Sequence, residues 1–332
     1  MPINRYRILR LFILVAMVTV LRIPVYCQSD PQFNQYWALP SYYNPAAAGE
    51  SDFVRVRGAA RLQWLGIKHA PKSFAVTGDM PLKLFGKRLG IGATVTSESL
   101  GLFSNIMAGV QANYRFTFKN KTFIVAGLQL GFFNSKFKGT EVYIPDGDDY
   151  HTTNDPAIPT QDLTGNAFDL GLGAWYVHPL FSVGISGQHL LKPSVTMQQE
   201  GSDTGGAQEY KTELGRMAYL MAIGNIALKN TLFVLQPSLL LKSDFQMFMA
   251  EITARATYNR FLFASLGYRL NDAISISAGV EFKNFFVGYA YEYPLSAIGK
   301  VSSGSHELVA GYSLKLDLSG KNKNRHRAVR IM

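Results

Sequence analysis

The chain has 332 residues and a formal net charge of +10, with 47% hydrophobic and only 17% charged residues, against roughly 25% charged for an average soluble domain. That low charge, with 30 glycines, 22 phenylalanines and 17 tyrosines, excludes a disordered chain and argues against an ordinary helical enzyme. A mean hydropathy of +0.03 is too low for a bundle of membrane-spanning helices; it leaves a class in which apolar and polar residues alternate, the transmembrane β-barrel.

Residues 1–27 read as a signal peptide. Arg5, Arg7 and Arg10 form a basic start, and the apolar run Leu11 to Leu21 is too short to span a bilayer. Cleavage is expected after Cys27, the only cysteine, so no intramolecular disulfide is possible. Arg22 is a fourth cation of this leader, and Lys321, Lys323, Arg325, Arg327 and Arg330 crowd the last twelve residues. Without both groups the chain is close to neutral. No basic, aromatic-interleaved stripe remains, which argues against a nucleic-acid partner. Residues 319–332 read as a solvated basic tail.

Residues 28–52 carry five aromatics and three prolines and lack β alternation; they are expected to tuck into or under a barrel as a non-barrel segment. From 53 to 318 the chain is a succession of fourteen segments with period-two polarity: 53–64, 73–80, 89–97, 105–118, 122–133, 166–177, 180–189, 216–228, 231–241, 247–258, 261–270, 273–283, 285–293 and 306–318. In the first, Val54, Val56, Ala60, Leu62 and Trp64 share one face, and Arg55, Arg57, Arg61 and Gln63 the other. An arginine facing mid-bilayer lipid costs about 2–4 kcal/mol, so the arginine face is assigned to the lumen. The same logic places Asp79, Arg115, Arg255 and Glu292 there, with Asp169, Glu251, Arg269 and Glu281. The pattern is blurred at 122–133 and 216–228, where both faces are largely apolar.

Every second connection is short (119–121, 178–179, 229–230, 259–260, 284), and the long ones (134–165, 190–215, 294–305) fall between them. This is the asymmetry of outer-membrane barrels. If the first strand starts in the periplasm, the long loops are extracellular and both termini periplasmic. The predicted fold is all-β: a transmembrane antiparallel β-barrel of about fourteen strands with an N-terminal periplasmic or luminal segment. The even count lets the sheet close and removes the edge otherwise exposed to lipid. Such a barrel is wider than the eight-stranded kind that side chains fill, so something occupies the lumen or it conducts. Arg55 and Arg57 are then either an anion-selective surface or counter-charges that hold a plug against acids such as Asp79 and Glu292; the second is favoured.

No motif for catalysis, a metal or a cofactor is found. The six histidines sit singly, and Asp146-Gly-Asp-Asp149 lacks full calcium-ligand spacing and reads as a solvated acidic loop. His306-Glu307, at a strand start, reads as an oriented hydrogen-bond pair.

Further motifs run through the chain: Gln28-Ser-Asp-Pro-Gln-Phe-Asn-Gln-Tyr36, Tyr43-Asn-Pro-Ala-Ala-Ala-Gly49, Gln63-Trp64-x-Gly66 with Ala70-Pro71, Gln236-Pro-Ser-Leu-Leu-Leu-Lys242, Gly267-Tyr-Arg269, Gly288-Tyr289 and Gly304-Ser-His-Glu307. Together these resemble the PorP/SprF family over essentially the whole mature chain. The resemblance implies an outer-membrane subunit of the type IX secretion system of Bacteroidota, serving protein export and, in some members, gliding motility. It also implies a periplasmic OmpA-like peptidoglycan-binding partner, other secretion subunits, and secreted cargo with a C-terminal sorting domain. Within the opening motif Asp30, Pro31, Gln32, Phe33, Tyr36, Asn44, Pro45 and Gly49 become candidates for partner or plug contact; Trp64, Gly66, Pro71, His306 and Glu307 are further motif positions. The chain departs from many outer-membrane barrels in closing on a basic tail, and Val309-x-Gly311-x-x-Leu314-x-Leu316 only loosely resembles an assembly signal. The reading is a non-enzymatic barrel that couples a periplasmic partner to cargo, with a general or substrate-selective porin as the alternative.

Overall fold

The structure, a computed structural model, describes residues 30–118, 122–142, 159, 161–199, 208–229 and 231–316. The expected signal peptide, the Asp146–Asp149 segment and the basic tail lie outside the described residues.

Seventeen strands are described: β1 (Phe53–Leu62), β2 (Lys72–Leu84), β3 (Lys87–Leu100), β4 (Phe103–Thr117), β5 (Phe123–Lys138), β6 (Asp162–His178), β7 (Phe181–Gln188), β8 (Ser194–Gln199), β9 (Gln208–Glu213), β10 (Met217–Gly224), β11 (Ile226–Ala227), β12 (Phe233–Ser243), β13 (Phe248–Tyr258), β14 (Leu262–Arg269), β15 (Ala273–Phe282), β16 (Phe285–Pro294) and β17 (Ser305–Lys315). β8 and β9 form a separate hairpin; β10 and β11 are two pieces of one wall strand, broken at Asn225. The remaining pairings are antiparallel and run round a ring, closed where β17 meets β1 from Phe53↔Lys315 to Leu62↔His306. The result is a closed fourteen-stranded barrel with no free sheet edge, the arrangement that satisfies backbone groups in lipid.

Alternation sets the two faces. On β2, Phe74 and Val76 point outward and are about half exposed, while Ser73, Ala75, Thr77 and Asp79 are buried inside. Ile106 and Val110 on β4, Ile274 and Ile276 on β15, and Leu308 and Leu314 on β17 continue the outer apolar surface. Among the described residues no helix is long and apolar enough to cross a membrane. Strand order sorts the connections. The turns at 85–86, 118–122, 179–180, 228–232, 259–261 and 283–284 lie at the end where β1 begins, and the loops at 63–71, 139–161, 189–216 and 295–304 at the other.

Several boundaries differ from the alternation. β1 stops at Leu62 because Trp64 and Gly66 turn with φ of 52° and 99°. This loop is zipped to the 295–304 loop by Leu65 N–H to Gly304 O (2.8 Å) and Ser303 N–H to Leu65 O (2.8 Å). The stretch 190–215, read as loop, contains the β8–β9 hairpin. Its Val195 and Met197 pack on Phe133 and Leu163 at the long-loop mouth.

Inside the cylinder runs the N-terminal segment. It carries a single helical turn, α1 (Pro40–Tyr43), between 3-10 turns at Tyr36–Ala38 and Pro45–Ala47. Pro40 opens α1, where its missing N–H costs nothing. Phe33, Tyr36, Trp37, Leu39, Tyr43 and Ala46 are buried against the inner wall. Luminal Phe123, Val125, Met217, Tyr219 and Met221 pack on them. This explains the two blurred strands: their inner face meets apolar protein instead of water.

Candidate functional site: the occupied lumen

The segment is fixed to the wall at three levels. At the long-loop end the Asp30 carboxylate faces His189 Nε2 at 2.8 Å and accepts the Tyr219 hydroxyl proton, and Lys242 Nζ donates to the Asp30 carbonyl at 2.6 Å. The other imidazole nitrogen meets Asp169 Oδ2 at 2.7 Å. Burial alone would lower the His189 pKa, but the carboxylates of Asp30 and Asp169 outweigh it and hold the ring protonated up to about 10. Burial likewise opposes ionisation of Asp30, yet His189 and Lys242 hold its carboxyl well below the usual range.

Beside this latch lies an ion-pair network. Arg269 reaches Glu251 (3.0 Å), Glu292 (2.9 Å), Asp272 (3.0 Å) and the Asn34 side-chain oxygen (2.8 Å). Arg61 meets Glu292 (2.8 Å) and Glu307 (3.6 Å). Glu307 accepts the backbone N–H groups of Asn34 and Gln35 at 2.7 and 2.8 Å, and Gln32 donates to Glu251 at 3.1 Å. Two carboxylates of this network, Glu251 and Glu307, thus bond the segment directly, charge-assisted contacts roughly twice as strong as neutral ones.

At mid-height three glutamines form a ladder across the wall. Gln111 donates to the Ser41 carbonyl and to Gln129 (2.7 Å each), Gln129 to Gln188 (3.3 Å), and Gln188 to the Tyr43 carbonyl (3.4 Å). These satisfy carbonyls in the single turn of α1. Asn44 caps the following 3-10 turn by accepting Ala46 N–H (2.9 Å), and its amide donates to Ala174 and Ile185 carbonyls (3.0 Å each).

Toward the short-turn end the backbones nearly touch. Gly49 has φ of 64°, and a Cβ there would lie 2.5 Å from the Met80 carbonyl oxygen. On the wall side, a Cβ at Gly90 would meet the Ala48 carbonyl at 2.1 Å, at Gly127 the Ala46 nitrogen at 2.4 Å, and at Gly173 the Asn44 side chain at 2.0 Å. Absent side chains at these strand positions make room for the segment. Arg55 pairs with Asp79 (2.9 Å) and donates to the Ala47 carbonyl (3.3 Å), and Asp79 also accepts Gly49 N–H (2.9 Å).

The sequence-derived residues fall as follows. Asp30, Gln32, Phe33, Tyr36, Asn44, Pro45 and Gly49 all touch the inner wall or its neighbours, and the Pro31 carbonyl accepts the Tyr42 hydroxyl at 3.4 Å. Arg55 has its acid; among the described residues Arg57 does not, bonding Val56 O and Ser313 Oγ, since it lies level with Phe286 while Glu292 stands six residues further along β16, held by Arg61 and Arg269. Arg115 and Arg255 lie over the rings of Phe123 and Trp37, at 3.2 and 3.7 Å. His306 and Glu307 are not a pair. Adjacent strand residues face opposite ways, so Glu307 is buried in the lumen and His306 meets the Tyr289 hydroxyl outside. Trp64, Gly66 and Pro71 belong to the loop zipped beside them, where Gln63 N–H bonds the Pro71 carbonyl at 3.0 Å. Wall residues not singled out also hold the segment: Arg269, Glu251, His189 and Lys242 bond it directly, and Arg61 pairs with Glu292 and Glu307. Alternation placed most of them in the lumen but had no signal for which charges meet. Asp30 lies at the long-loop end, so the described segment begins opposite to the short-turn side expected for the N-terminus; Lys242, Tyr219 and His189 draw it there.

A closed cylinder with an apolar outer band and a charged, occupied lumen defines an outer-membrane β-barrel. The chain belongs to the PorP/SprF family of type IX secretion system membrane proteins, whose family model matches residues 25–312. No curated protein matches the chain. Solved structures similar to it include a Pseudomonas aeruginosa FadL homologue (9% identity, 83% of this chain and 94% of that one, TM-score 0.49). A deletion mutant of the TodX monoaromatic hydrocarbon channel is also similar (11% identity, 87% and 96% covered, TM-score 0.47).

Proposed function

We propose that the protein is a non-enzymatic barrel subunit that joins a periplasmic, peptidoglycan-associated partner at its short turns to secreted or surface-anchored cargo at its long loops. In this reading the short-turn end and the chain after β17 face the periplasm, and the long loops face outward. The observation that carries it is the filled lumen. A segment clamped at both ends and along its length by wall carboxylates, amides and glycine gaps suits a coupling element, and a general porin has no use for it. The loop between β5 and β6, residues 139–161, carries five acids and no lysine in its sequence, which suits a basic cargo surface. Crosslinking and pull-down from intact outer membranes tests the reading: the full chain is expected to retain an envelope partner, and a chain lacking residues 28–50 to lose it. Full retention by the shortened chain contradicts a coupling role for the segment.

A further inference from the structure

We infer that the short-turn mouth of the lumen is a docking site for an acidic polypeptide segment of a periplasmic partner, with Arg57, Arg115 and Arg255 as its anchors. The inference rests on the orientation given under the proposed function.

The arginines of the lumen divide into two groups. Arg55, Arg61 and Arg269 each meet a carboxylate within 3.0 Å. Arg57, Arg115 and Arg255 form no ion pair among the described residues. Arg57 bonds only Val56 O (3.3 Å) and Ser313 Oγ (3.0 Å), and Arg115 gives one long bond to the Glu50 carbonyl (3.4 Å). The Nε atoms of Arg115 and Arg255 are buried without a partner. Each guanidinium lies over an aromatic ring: Arg57 over Phe286 (5.1 Å), Arg115 over Phe123 (3.2 Å) and Arg255 over Trp37 (3.7 Å). Stacking fixes the guanidinium plane and leaves its edge donors aimed outward, in the fork that matches a carboxylate.

Position makes these groups reachable. All three face inward, are only partly buried, and sit within five residues of the short-turn end of β1, β4 and β13. The acids of that half are engaged or form no ion pair: Glu50 accepts from Ser182, Asp52 pairs with Arg88, Asp79 with Arg55, and Glu281, exposed on the inward face near the end of β15, acts on Arg57 and Arg255 through space without an ion pair to either among the described residues. The rim outside them is basic, with Lys83, Lys87, Lys229, Arg260, Lys283 and Lys315 on or beside the short turns, and the described turn residues contain no acid. A rim of this kind also borders lipid headgroups, but bilayer lipid does not enter a closed lumen where the arginines lie. β1, β4 and β13 stand apart round the ring, so one small anion cannot serve all three. A chain bearing several carboxylates can.

The test uses the mature chain in detergent micelles with fluorescein-labelled hexaglutamate as probe, read by anisotropy. Hexaglutamate is expected to bind, hexaglutamine not, and binding to weaken with salt. Replacing all three arginines (R57Q, R115Q, R255Q) is expected to weaken binding about tenfold or more, with lysine at the same positions restoring part of it through charge alone. Lysine keeps the charge and gives up planar stacking, so rescue separates anion binding from a packing effect on Trp37. If the triple variant does not fold, R57Q and R115Q alone, whose rings belong to the wall, give the readout at a smaller loss. Equal binding by the glutamine variants overturns the inference. So does loss of binding on replacing only Lys83, Lys229 and Lys283, or phosphatidylglycerol retention in native mass spectrometry that depends on the three arginines. Partner capture from intact membranes is independent of the peptide, so retained capture with an indifferent peptide removes this inference and leaves the proposed function standing.

Discussion

Arg269 stands where three carboxylates and the segment meet, 3% exposed. Alanine there strands the Glu251 carboxylate in the interior and leaves Glu292 with Arg61 alone, a change that costs about 3–5 kcal/mol. Its expected readout is a lower unfolding temperature of the barrel in detergent together with faster proteolysis within residues 30–51. An unchanged cleavage rate would show that the network does not hold the segment. His189 makes the latch pH-dependent. Its pKa is raised from about 6.5 to about 10, so its stabilisation is complete below 6.5 and is lost as pH rises through about 10. Asp30 is shifted the other way, and its contribution is present above about 3.8 and falls away in stronger acid. Proteolysis of the segment, normalised to the protease's own pH profile, should therefore be slowest between about pH 4 and 6.5 and rise toward pH 10; His189→Gln should flatten the alkaline limb. A profile identical in both proteins would contradict the latch. Period-two alternation revealed the luminal side of Arg55, Asp79, Glu251 and Glu292, since lipid excludes charge at every such position. The pairings Arg61–Glu292 and His189–Asp30 bring together residues 231 and 159 positions apart, a matter of ring closure that no local pattern encodes.

Among the elements, the strands were the most legible because each separates two environments. Where the inner environment is apolar protein, as beside Met217, Tyr219 and Met221, the alternation fades although the strand remains. The β8–β9 hairpin was hidden in a loop whose strands are six residues each and whose apolar positions, such as Val195 and Met197, are few. The N-terminal segment was recognisable as non-barrel, but its path was not, since it is set by gaps on other strands. Gly173 is such a gap, and leucine there would drive into Asn44 and Pro45. Gly173→Leu is expected to displace the segment while the wall stays closed, seen as proteolysis of residues 30–51 with unchanged β content by circular dichroism. Gly49→Ala adds a left-handed cost of about 1–2 kcal/mol to its contact with the Met80 carbonyl, and should show the same phenotype more weakly. Either variant behaving as the parent would mean that the close approaches do not fix the path.

At the scale of the molecule, closure by β1 and β17 makes a cylinder whose width exceeds what wall side chains fill, and the N-terminal segment supplies the missing interior. Cylinder and filling are one structure: the wall carries glycine gaps that the segment occupies and a buried Glu307 that accepts the segment's backbone N–H groups. Single-channel recording in planar bilayers tests this most directly. The intact mature chain should pass little steady current, and a chain lacking residues 30–50 should open in nanosiemens-scale steps. Equal, steady conductance from both would contradict an occupied lumen.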